Sequence, residues 1–113
     1  MATPQSHAGV WSKVKYAVIS QVVAAKGEQI AAVSGKKIRV IGGILNMTGA
    51  AGTMEFFSAT TAITGVMQLL KDTALPLPES ACGYFETAAG ENLALTVTTT
   101  SAVVTGVLAY IEV

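Results

Sequence analysis

Apolar and polar side chains alternate with a period of two along much of this chain, the repeat of a β-strand whose neighbours point to opposite faces. Over Lys13 to Val23, Val14, Tyr16 and Val18 fall on one side and Lys13 and Lys15 on the other, which predicts a first strand. A break at Lys26 and Gly27 precedes a short apolar piece, Gln29 to Val33, which the turn residues Ser34 and Gly35 close. Lys37 to Met47 is the most strand-like segment. Alternation carried through it puts Ile38, Val40 and Ile44 on one face and Ile41, Leu45 and Met47 on the other. Both faces are apolar, so the strand is expected to be covered on two sides. Gly42 and Gly43 in its middle predict a bulge or a close backbone approach. Gly52 to Ser58 follows the small-residue turn Gly49 to Ala51 and reads as the return arm of a hairpin.

Ala59 to Leu70 carries Ile63, Val66, Met67 and Leu70 at helical spacing. Its β-branched Thr60, Thr61, Ile63, Thr64 and Val66, with Gly65 at the centre, weaken a short helix, so a loop followed by a strand is predicted. Pro76 and Pro78 make Lys71 to Ser80 an extended edge or loop segment. A short strand over Tyr84 to Thr87, a turn at Ala88 to Glu91 and an alternating strand through Leu93, Leu95 and Val97 follow. The last strand, Val103 to Val113, is again apolar on both faces. About eight short strands with turn signals between them predict a sandwich or barrel over residues 13–113. Residues 1–12 have no periodic pattern and read as an extended N-terminal arm, with Trp11 as its first anchor.

Composition changes this picture in one respect. Apolar residues are 51% of the chain and charged ones only 12%, against about 25% charged in an average soluble domain. Much of the folded surface is therefore uncharged, and a homo-oligomer is the simplest way to finish it. Seven basic and seven acidic side chains cancel to a formal charge of zero, which argues against a nucleic-acid partner. Apolar stretches interrupted by Gly, Thr and Ser argue against a membrane span, and the N-terminus lacks the pattern of a secretory signal, so assembly in a cytoplasm is expected. Cys82, the single cysteine, cannot form an internal disulfide and reads as a buried small hydrophobe.

Candidate chemistry is sparse. His7, the only histidine, falls in the arm, where nothing rigid would hold a general base, and Asp72 is the only aspartate a triad could use. Glu86 and Glu91 flank a turn, where solvated charges are common. Ser34 to Lys37 lacks both the glycine spacing and the terminal hydroxyl of a phosphate loop. Lys36, Lys37 and Arg39 form a small basic cluster that pairs with acidic groups on a partner or solvates a rim. Asn46 to Thr48 matches a glycosylation acceptor, an accidental match in a chain without a signal. The sequence points to no catalytic set, no metal and no cofactor.

The segments GKKIRVIGGIL, GYFETAAGENLALTV and VVTGVLAYIEV, in this order, resemble small jelly-roll decoration or cement proteins of tailed bacteriophage heads, over about residues 28–113. The resemblance implies an all-β, single-domain, jelly-roll-like antiparallel sandwich. It also implies a homotrimer on the outer capsid surface that bridges major capsid subunits and often uses an N-terminal arm. Lys37, Arg39, Tyr84, Phe85, Gly90, Glu91, Tyr110 and Glu112 match its fold and interface pattern. Residues 59–80 show no correspondence. The expected subunit interface is Lys37, Arg39, Tyr84, Phe85, Leu108 and Tyr110, and the expected capsid contacts of the arm are Thr3, Pro4, Gln5, Val10 and Trp11. Similar sandwiches serve as fibre or tail-associated modules that bind a receptor or carbohydrate, which is the alternative role.

Overall fold

The structure, a computed structural model, describes residues 13–22, 26–98 and 101–113. The expected arm, with Thr3, Pro4, Gln5, His7, Val10 and Trp11, lies outside the described residues. The strands are β1 (Lys15–Val22), β2 (Lys26–Ile30), β3 (Ile38–Thr48), β4 (Gly52–Ser58), β5 (Thr61–Ala62), β6 (Met67–Leu69), β7 (Thr73–Leu77), β8 (Phe85–Glu86), β9 (Leu93–Thr98) and β10 (Val103–Glu112). They form two antiparallel sheets. Sheet A runs β1, β10, β3, with β7 and β8 sharing the far edge of β3, and sheet B runs β2, β9, β4, with β5 and β6 sharing the far edge of β4.

The pairing is nested. β4 pairs with β5 and β6, β3 with β7 and β8, β2 with β9 and β1 with β10, as if one long hairpin had been rolled up and then closed by the β3–β10 and β4–β9 pairs. This is the jelly-roll order, and with each split edge counted once it has the eight strand positions expected from the sequence.

Two local expectations are corrected. β4 is not the return arm of a hairpin with β3, because it pairs with β9 in the opposite sheet. The core explains the crossing. Leu45 and Met47 of β3 and Met54 and Phe56 of β4 are all buried in one cluster, and they meet only if the two strands face each other across the sandwich. The second correction concerns β3. Ile38, Val40, Leu45 and Met47 point into the main core, whereas Ile41 joins Ala109 and Ile111 in a small outer cluster. The register shifts where Tyr110 pairs with Val40 and Ala109 with Gly42, leaving Ile41 as the extra residue of a bulge. One extra residue reverses the parity of everything after it, so Leu45 and Met47 turn inward and Ile44 turns out.

Residues 59–70 contain no helix. A turn at Ala59 and Thr60 sends the chain back along β4, where the Ile63 amide donates to the Phe56 carbonyl and the Phe56 amide to Thr64 Oγ1, both at 3.0 Å. Pro76 stands in β7, an edge strand, where a residue without an N–H is tolerated. The core proper is aliphatic around Phe56, whose ring packs on Phe85 with centroids 4.9 Å apart. Each such fully buried side chain contributes about 1.5–3 kcal/mol.

Candidate functional site

The two sheets cover the core with one face each and turn the other face outward, and these outward faces differ in chemistry. On sheet B, register places Thr96 between Lys26 and Glu55, and Ala94 between Glu28 and Phe57. Three charged side chains thus stand on that face. Lys26 Nζ lies 4.0 Å from the centre of the Phe57 ring, and Asn92 Nδ2 donates to Glu28 Oε1 at 2.8 Å. This is an ordinary solvated surface.

The outward face of sheet A is built from residues far apart in the chain. Val18 pairs with Val107, Val107 with Ile44 and Ile44 with Pro76, so one apolar row crosses β1, β10, β3 and β7. The next row, Ser20, Thr105, Asn46 and Ala74, carries hydroxyls and an amide but no charge. Val22, Val103 and Thr48 follow. Val18 is 83% exposed, Tyr16 67%, Val22 57% and Ile44 41%. Among the described residues, charge borders this face at the corner where Arg39 stands opposite Glu86, at Glu79 beside Gly42 and, just before β7, at Asp72, whose amide donates to the Met47 carbonyl.

An open depression of about 410 Å³ lies between the Tyr16 side and the Pro76 to Glu79 side of this face. Its floor includes Gly43 and Ala109, which lack side-chain bulk, and Ile44 and Val107 stand at its flank. The glycine is required there. Gly43 has φ 135°, and a Cβ on it would sit 2.3 Å from the Val107 carbonyl oxygen. Gly106, two register steps away with φ 146°, would put a Cβ 2.1 Å from the Ile44 carbonyl oxygen. Gly43 faces Leu108 and Gly106 faces Leu45, so two glycines set diagonally on neighbouring strands let β3 and β10 approach closely, and Gly43 also floors the recess.

The interface residues expected from the sequence fall elsewhere. Leu108 is fully buried in the main core, so its expected place between subunits is corrected. Phe85 and Tyr110 are half-buried and pack against that same core. Tyr84 is partly exposed and its hydroxyl donates to the Pro78 carbonyl. Lys37 and Arg39 find their acid within the chain. Arg39 Nε donates to Glu86 Oε1 at 2.9 Å, and Lys37 Nζ lies 3.5 Å from Glu86 Oε2. The Arg39 hydrogen bond, opposed by partial burial and helped by the charges of Arg39 and Lys37, holds the Glu86 carboxyl below its ordinary value of 4.5.

Cys82 is exposed in the turn before β8, which corrects the buried role expected of it. Ser58 is buried and ties β4 to the turn after β8, accepting from the Ala88 amide at 2.9 Å and donating to Glu91 Oε1 at 2.5 Å. Among the described residues, no three His, Cys, Asp or Glu side chains converge to hold a metal ion. No helix among them is long and apolar enough to cross a membrane.

Sequence reasoning singled out Tyr16 and Val18 as one side of a strand and gave β3 and β10 two apolar faces. It missed the row joining Val18, Val107, Ile44 and Pro76, for which the only local signal is that both sides of β1 hold apolar residues. Comparison of the chain with protein families, with curated proteins and with solved structures found no match.

Proposed function

We propose that this chain is a structural assembly protein that works as a homotrimer, binds the outside of a bacteriophage head and stabilises it by bridging major capsid subunits. The observation that carries the reading is the contrast between the two outward faces. In a chain with 12% charged residues, sheet B carries charge while the rows of sheet A from Val18 to Val22 carry none. A solvent-facing sheet gains nothing from that contrast, whereas a sheet that other subunits cover avoids the cost of desolvating charge. The nested strand order and the segments GKKIRVIGGIL, GYFETAAGENLALTV and VVTGVLAYIEV favour the decoration type within the assembly class. Function does not follow from the fold alone, so the outward face bears the weight.

The mechanism is contact without turnover. Binding to the assembled shell and not to its dissociated subunits raises the free energy of disassembly by mass action, as any ligand of one state does. Cys82 gives the test a handle, since it is the single cysteine of the chain and is exposed. The chain labelled there with a heavy-atom cluster, added to phage heads lacking it, is expected to sediment with them and to appear in electron cryomicrographs as a regular array on the outer surface. Label confined to the soluble fraction contradicts the reading, and label at tail tips or on host glycans transfers the protein to the receptor-binding class.

A further inference from the structure

We infer that the outward face of sheet A is where copies of this chain meet one another, with Val18 close to the symmetry axis. The inference rests on the assembly reading and names the partner of its candidate site. Three observations point to a second copy. The first is charge. Near a symmetry axis each side chain meets its own counterpart, so any charge there is repeated at short range. The rows from Val18 to Val22 hold no charge; the charges that border them are Glu79, across the recess from Tyr16, and Asp72, whose amide donates to the Met47 carbonyl on the far side of β3 from β1. The polar row is also compatible with itself, because the hydroxyls of Ser20 and Thr105 and the amide of Asn46 both donate and accept.

The second observation is shape. Val18 and Tyr16 are the most exposed large apolar side chains on the face, and the recess floored by Gly43 and Ala109 opens beside them. Projection and hollow on one surface are what a self-associating patch needs, since each copy supplies both. The third is size. At about 4.8 Å between strands and 3.4 Å per residue, four strands over the rows from residue 16 to 22 cover roughly 400–500 Å². Three such faces gathered at one axis bury roughly 1,200–1,500 Å² in the trimer as a whole. Edge pairing through β1 is restrained in its middle, where the Ser20 amide donates to Gln29 Oε1 at 3.3 Å.

The test adds the same charge to each outward face in turn. Val18→Lys and Ile44→Lys alter positions exposed in the single chain, so both variants are expected to keep the wild-type circular dichroism and to melt lower only by the stabilisation that association supplies. Thr96→Lys, on sheet B, is the control. In sedimentation velocity the wild type and Thr96→Lys are expected to travel as one multi-copy species, and the two sheet A variants as single chains, with association weakened at least tenfold. A single-chain wild type, or sheet A variants that keep the wild-type mass, overturns the inference. The decoration reading fails separately, when the multi-copy protein leaves phage heads bare.

Discussion

Gly43 and Gly106 show how much of this molecule is decided at single residues. Each has a positive φ, and in each case the space a side chain would need is filled by backbone of the partner strand. Alanine at either position combines a strained backbone with a displaced ladder, for which a loss of about 3 kcal/mol is expected, read as a lower urea midpoint at unchanged slope. An undiminished midpoint would mean that β3 and β10 separate without cost. The sequence made the bulge legible as Gly42 and Gly43. It did not reveal that Gly106 answers them, since 63 positions separate Gly43 from Gly106 and only the register brings them together.

Glu86 is a second residue with a readable consequence. Its carboxyl is held low by Arg39 and Lys37 in the folded state, so its contribution is present above the unfolded value near 4.5 and fades as pH falls through the lower folded value. Stability measured from neutral pH to about pH 3 should decline by up to about 1 kcal/mol more in the wild type than in Glu86→Gln, the exposed pair setting that ceiling. Equal slopes in the two proteins would remove the pair from the stability of the β3 and β8 corner.

At the scale of elements, positions were legible and partners were not. The predicted strand over Gly52 to Ser58 is β4 itself, and Lys13 to Val23 contains β1. Period-two alternation and turn residues are local signals, and they survive folding. Whether β4 returns beside β3 or crosses to face it depends on which apolar faces must meet, and Leu45, Met47, Met54 and Phe56 settle that only in three dimensions. The same limit hid the outward row of sheet A, whose members come from β1, β3, β7 and β10. Links between elements are similarly non-local. Ser58 holds the turn after β8 against β4, and Ser58→Ala leaves the Ala88 amide without its acceptor. A loss of about 1–3 kcal/mol is expected, with faster hydrogen exchange at Ala88. Unchanged exchange there would show that the turn is held from elsewhere.

At the scale of the whole molecule, low charge becomes a property of one surface. The composition indicated that some of the exterior is uncharged, and the fold concentrates it on the outward face of sheet A while sheet B keeps Lys26, Glu28 and Glu55. Leu108 and Phe85, expected between subunits, belong to the core or its border and stand away from that face. We propose, accordingly, a domain that is complete inside and is finished on one face by its own copies. The most direct measurement of that claim is the mass of the purified chain in solution, by native mass spectrometry at micromolar concentration. The account predicts a single species at three times the 11.6 kDa of one chain. A stable species of one chain, with no association as the concentration rises, would contradict it.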